Sequence, residues 1–291
     1  MAHQRLDRDF QSDGLRCAAW LYLPEDVPKP PIVVMSHGFS AYRDMIFPRY
    51  AERFADAGLA VLLFDYRNLG DSEGSPRDLV DPVRHVEDLQ TAIRFVRGLP
   101  EVDGARLGLF GSSFGGGHVI TAAARDAEVS AIVSQVPFVG GADAAQTPWR
   151  YRARLAWSFF RDKLASRFGR VYCVPAVGGP NEFGLLASPD AQDFVDLLPE
   201  GSAWPNRIPA RVLPNIMRYS PMDEVGRVRC PVLMVLAEHD QLVPAATAKQ
   251  CAERIADCEL VSLDCEHFEV YRDERLPELS ARYADFFRKH L

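Results

Sequence analysis

The residues with the most pointed chemistry are Gly111-Ser112-Ser113-Phe114-Gly115, a G-x-S-x-G between an apolar run at 106–110 and a segment of helical spacing. At a sharp turn from strand to helix the central serine is pushed into a strained, exposed position, and small neighbours let the two elements approach. Gly111, Gly115, Gly116 and Gly117 are such neighbours. A serine hydroxyl is a weak nucleophile at neutral pH and reacts only where an imidazole takes its proton and a carboxylate orients that imidazole. Downstream, Glu238-His239-Asp240 follows an apolar run at 231–237, and Asp264-Cys265-Glu266-His267-Phe268 follows another at 260–263. Composition alone leaves Glu238, His239 and Asp240 competing for the acid position. Ser112, before the central serine, is expected to face elsewhere.

The order serine, acid, histidine (Ser113, Asp240, His267) is that of an elbow-type hydrolase. Together with His37-Gly38-Phe39, Asp65-Tyr66-Arg67, Gly70-Asp71-Ser72-Glu73-Gly74 and His267-Phe268, it makes the chain resemble the α/β-hydrolase superfamily over nearly its whole length. Within that superfamily it is similar to the esterase and dienelactone-hydrolase-like enzymes and to the polyketide-transferase-like group. The resemblance implies that Ser113 attacks, His267 moves the proton, and Asp240 rather than its neighbours orients His267. An acyl-transfer transition state places negative charge on the carbonyl oxygen and needs two preorganised donors. The backbone N–H of Phe114 is one, and by the resemblance the N–H of Phe39 is the other, with His37 bracing its loop rather than reacting. The implied reaction is cleavage of a carboxylic ester or thioester through an acyl-enzyme. An acyltransferase or a C–C bond hydrolase or lyase of polyketide metabolism would use the same three side chains, and a peptidase or a non-catalytic binding protein are further alternatives.

The elements that must position these residues alternate. The run at 15–23, behind Ser12-Asp13-Gly14, reads as the second strand of a hairpin. Strands are expected at 32–35, 59–64, 106–110, 130–135, 231–237 and 260–263. Helices are expected at 47–58, 83–96, 118–125, 247–256 and 276–290. Strand alternating with helix means an open, mostly parallel sheet with helices on both faces. Such a sheet presents loops like those of Asp240 and His267 at its carboxyl edge. The alternation breaks between 140 and 219, so the expected organisation is an α/β-hydrolase core of 1–139 and 220–291 with a helical cap of 140–219.

Within that insertion Tyr151, Leu155, Ala156, Phe159, Phe160, Leu164 and Phe168 recur at three- and four-residue steps, which predicts a helix with an apolar stripe. Trp149, Trp157 and Phe160 are the expected substrate-binding residues of its pocket. Between 142 and 172 stand seven Arg or Lys against two Asp, whereas 181–200 carries five acidic residues and no Lys or Arg. The two halves are expected to pair with each other.

The 291 residues carry a net charge of −7, with 47% hydrophobic and 25% charged residues. That profile fits a globular chain and gives no reason to expect nucleic acid as a partner. The substrate is expected to be a small acyl compound, free or carrier-linked. Six cysteines without metal or redox spacing read as reduced thiols. With no apolar leader or membrane-length run, the chain is expected in the cytoplasm and not in a membrane. Gly70 to Gly74 lacks the lysine of a phosphate loop and reads as a structural turn, and no cofactor or metal is expected.

Overall fold

Uninterrupted runs of valine, leucine and isoleucine suit strands covered on both faces. In the computed structural model, which describes residues 2–140, 148–179, 182–187 and 191–291, they assemble into one eight-stranded sheet. Its strands in chain order are β1 His3–Asp7, β2 Ala19–Pro24, β3 Pro31–Ser36, β4 Ala60–Phe64, β5 Asp103–Ser112, β6 Ala131–Gln135, β7 Val232–Ala237 and β8 Cys258–Leu263. Their order across the sheet is β1-β2-β4-β3-β5-β6-β7-β8, antiparallel in the first two pairings and parallel from β4 onward.

The helices are α1 Pro48–Asp56, α2 Pro82–Arg97, α3 Phe114–Arg125, α4 Trp149–Ser166, α5 Ala191–Asp196, α6 Leu213–Arg218, α7 Ala245–Glu253 and α8 Leu276–His290. Successive strand residues serve opposite layers, as the pleat requires. Ile32, Val34, Ile132 and Met234 join the core that contains α2, α3 and α7, while Val33, Met35, Val133 and Val235 join the one under α1 and α8.

The run at 15–23 is two strands, not one. Leu15–Cys17 pairs with Phe10–Ser12 across Asp13 and Gly14, whose φ values are 51° and 74°, and β2 begins only at Ala19. The break has a cause in Ala18. Its amide donates to Ser72 Oγ (2.8 Å) and its carbonyl accepts from the Asp65 amide (2.9 Å), so its backbone serves the 65–72 loop. That loop is the expected structural turn. It wraps the buried Asp65 carboxylate, which accepts from the Asp71 amide (3.0 Å) and pairs with Arg43; a Cβ on Gly70 would lie 2.2 Å from Asp65 Oδ2.

Between Gly140 and Ser220 the chain forms α4, α5, α6 and a two-residue antiparallel pair of Cys173–Val174 with Ile208–Pro209, short strands that the sequence did not announce. The segment is pinned by Asp162, fully buried, which accepts from the amides of Tyr172 and Arg211 (2.7 Å each) and pairs with the Arg211 guanidinium (2.7 Å). Among the described residues no ion pair joins its basic half to its acidic half: Asp193 lies 3.3 Å from Arg272 of the sheet body, and the halves meet instead where the Tyr151 hydroxyl donates to Gly184 O (2.7 Å) and Arg154 lies 4.1 Å over the Phe183 ring. Asp143 and Asp190 fall outside the described residues.

Candidate active site

β5 ends at Ser112, and Ser113 turns the chain at φ 56° and ψ −119° before α3 begins. A non-glycine residue rarely adopts that conformation unless its surroundings impose it. Here the Ser113 amide donates to Gln135 O (2.9 Å) and its carbonyl accepts from the amides of Phe138 (2.8 Å) and Gly116 (3.0 Å). The flanking glycines are steric requirements. A Cβ on Gly111 would lie 2.2 Å from Gly115 O, and one on Gly115 would lie 2.1 Å from Ser36 O.

The acid and the base come from the loops after β7 and β8. Asp240 Oδ1 accepts from the amides of Leu242 (2.9 Å) and Val243 (2.7 Å), which fixes the carboxylate and aims Oδ2 at His267 Nδ1, 2.6 Å away. His267 Nε2 lies 3.0 Å from Ser113 Oγ. The carboxylate keeps the ring proton on Nδ1, so Nε2 is free to accept from the serine hydroxyl. The His267 and Asp240 side chains are 1% and 2% exposed, so water does not compete for this pairing. Glu238 is turned outward to Lys249 and His239 to Asp264, so of the three competing residues Asp240 alone reaches His267.

Ser112 faces the interior, where its hydroxyl meets Tyr271 (2.6 Å) and Gln135 Nε2 (2.8 Å). Gln135 Oε1 in turn accepts from Tyr283 (2.8 Å) and Tyr50 (3.2 Å). This buried network behind the turn escaped the sequence reading, since its hydrogen-bonded partners lie up to 159 residues apart and no local pattern links them.

A Cβ on Gly38 would stand 3.5 Å from Ser113 Cβ, so the 37–39 loop passes directly over the serine. The rings of Phe39 and Phe114, whose amides the sequence singled out, meet edge to face at 5.4 Å and both line the cavity. His37 is buried, with Nδ1 3.2 Å from Gly38 O, and desolvation pushes it down to about 4. Under Phe114 lies His118, bonded to the Tyr219 hydroxyl (2.7 Å) and held down to about 3, by burial first and the charge of His37 second. Cys265 is no rival nucleophile, because burial pushes its thiol up to about 11.

Ser113 opens into a cavity of about 610 Å³ whose wall is mostly apolar, with Phe47, Phe138, Leu186, Leu213, Tyr219 and Phe268 among its side chains. α4 contributes Tyr151, Arg152 and Leu155. Here the sequence expectation is corrected: Trp149, Trp157 and Phe160 are 72%, 65% and 65% exposed and do not line the cavity. At about 100° per residue they fall on the opposite side of the helix from Tyr151 and Leu155. Among the described residues no group of three His, Cys, Asp or Glu could hold a metal ion, and no helix is long and apolar enough to cross a membrane.

The chain is similar to known proteins over nearly its whole length. A family model, Hydrolase_4, described as serine aminopeptidase, S33, matches residues 28–268. The quorum-quenching protein AidA of Acinetobacter baumannii (strain MDR-ZJ06) is 35% identical over 288 residues, covering 98% of this chain and 94% of that protein. The polyketide transferase af380 of Aspergillus fumigatus is 30% identical over 297 residues, covering 99% of each. Among solved structures, the alpha/beta hydrolase GrgF from Penicillium sp. sh18 superposes with a TM-score of 0.88 at 26% identity, covering 99% of both chains.

Proposed function

The chain belongs to the Hydrolase_4 (S33) family of α/β-hydrolase enzymes, and on that premise we propose that it cleaves a carboxylic ester or thioester through an acyl-enzyme on Ser113. One observation carries the reading: Ser113 Oγ, His267 and Asp240 in hydrogen-bonded series, 3.0 Å and 2.6 Å apart. Ser113 Oγ attacks the carbonyl carbon as its proton passes to His267 Nε2, and Asp240 stabilises the imidazolium. The amides of Phe39 and Phe114 hold the oxyanion. The tetrahedral adduct breaks its C–O or C–S bond, and His267 protonates the leaving alcohol or thiol. Water then gives a proton to His267, attacks the acyl-enzyme, and releases the acid and free Ser113.

Residues 140–219 act in this reading as a cap, with the inner face of α4 closing the acyl cavity. The six free thiols suit a reducing cytoplasm. A second reading keeps every step to the acyl-enzyme and replaces water by an alcohol, amine or carbon acceptor. The apolar cavity and the relative named a polyketide transferase favour it. Product analysis with and without added acceptors separates the two.

The test of the common step is intact-mass analysis after incubation with a fluorophosphonate, followed by peptide mapping. A single adduct on Ser113 is expected. No adduct, or one on another residue, would overturn the reading.

A further inference from the structure

α4 has two apolar faces, and only one is used by the fold. Tyr151, Leu155, Ser158, Phe159 and Asp162 turn inward. On the other side Trp149, Ala153, Ala156, Trp157, Phe160 and Leu164 recur at three- and four-residue steps, every one of them exposed, and Phe168 extends the face beyond the helix end. The five large side chains are between 59% and 75% exposed. A contiguous apolar strip of this kind marks a surface that meets something.

The margins of the strip say what it meets. By helical phase Arg150, Arg154 and Arg161 border one side and Lys163 the other, with Arg152 between the strip and the cavity wall and Arg167 at the helix end. Among the described residues none of these six cations is seen in an ion pair; Arg154 and Arg161 lie over the rings of Phe183 (4.1 Å) and Tyr172 (4.3 Å), and Lys163 and Arg167 stand exposed. The one acid between 148 and 172, Asp162, is buried beneath Arg211. In a chain of net charge −7 this is a strong local reversal of sign.

A second copy docking face to face would set cation against cation along both margins, the arrangement that opposes helix pairing. An acidic protein would satisfy the charges but would need a groove shaped to two tryptophans and two phenylalanines. A bilayer interface accepts aromatic side chains in any arrangement and supplies anionic head groups on either side of them. An exposed apolar face of Trp, Phe and Leu bordered by Lys and Arg is the pattern of a helix lying in that interface. We infer that the outer face of α4 docks on an anionic phospholipid surface. The same helix thus walls the cavity on one face and meets the bilayer with the other. At physiological ionic strength the overall negative charge is screened beyond about 8 Å, so the patch in contact decides.

The experiment is flotation of the full chain with vesicles of phosphatidylcholine alone or with one third phosphatidylglycerol. The chain is expected to float with the mixed vesicles, less so as salt is raised, and not with pure phosphatidylcholine. Leu164→Glu with Phe168→Glu removes apolar contact at exposed sites, and Lys163→Glu with Arg167→Glu reverses charge. Each pair is expected to lower partition by about ten-fold or more while leaving circular dichroism and melting unchanged. Three results would each overturn the inference: no flotation with phosphatidylglycerol, equal flotation with both vesicles, or a wild-type response from Leu164→Glu with Phe168→Glu. So would a dimer in sedimentation velocity that this last pair abolishes, in a chain that ignores vesicles.

Discussion

The carboxyl edge of the sheet and the 140–219 segment beside it are built by different rules. At the edge the acid and the nucleophile are aimed by backbone: two amides fix Asp240, and two glycines and three backbone hydrogen bonds fix Ser113. In the segment, position depends on side chains: Asp162 ties α4 to Tyr172 and Arg211, Trp204 Nε1 donates to Ser40 O (2.8 Å), Arg207 pairs with Asp78 (2.8 Å), and one of two apolar faces of α4 turns inward. Backbone-aimed chemistry has a local sequence signature. Side-chain anchorage has none, so mutations should damage the two regions in different ways.

The largest effect belongs to the edge. Ser113→Ala is expected to lower turnover by roughly 10³- to 10⁶-fold with melting unchanged, measured on any ester the wild-type chain hydrolyses. Near-normal activity would remove Ser113 from the mechanism. Asp240→Asn should cost about 10⁴ in kcat. Its Oδ1 can still take the Leu242 and Val243 amides, which leaves an NH₂ facing His267 Nδ1 and forces the ring proton to Nε2, the wrong nitrogen for accepting from Ser113. A small loss of kcat would mean that the aspartate does not select the tautomer.

Next comes the segment's anchor. Asp162→Ala leaves the Arg211 guanidinium and two amides without their acceptor, at a cost of about 3 kcal/mol. The loss should read as faster hydrogen exchange across 148–172 while the strands of the sheet keep their protection. Uniform loss of protection would show that segment and sheet open together and would erase the distinction drawn here.

Acid should attack the edge before the segment. Desolvation pushes His37 down to about 4 and His118 to about 3, so both are neutral in the fold, whereas imidazoles of an unfolded chain titrate near about 6.5. Between those values the unfolded chain binds more protons. Stability therefore rises with pH in this window and is lost as pH falls below about 6.5, by about 1.4 kcal/mol per pH unit for each histidine. Residues 140–219 contain no histidine. Urea melts should lose stability across the window, and His118→Gln should flatten the slope by one histidine's share. A slope unchanged by that substitution would remove His118 as a source.

How much could be read beforehand follows from the same contrast. The serine turn, the carboxyl-edge loops and the strands at 32–35 and 231–237 were legible because period, glycine and chain order are local. The break at Ala18 was not, since it depends on a loop some fifty residues away. Asp162 stands out as the sole acid between 148 and 172, but its partner Arg211 lies 49 residues on. For α4 the period announced a helix without saying which side faces in, because both sides are apolar.

Facing is what the smallest effects test. Leu155 borders the cavity and Trp157, on the same helix, stands 65% exposed on the other side. Leu155→Ala enlarges the cavity and removes acyl contact, so KM for a medium-chain ester should rise by about ten-fold while a short-chain ester changes little. Trp157→Ala removes the larger side chain, yet it should leave KM, kcat and melting within about 0.5 kcal/mol of wild type. Chain-length series on both variants read the difference directly. If Trp157→Ala shifted the chain-length preference and Leu155→Ala did not, α4 would be turned the other way over the site. The strip assigned to the bilayer would then belong to the substrate.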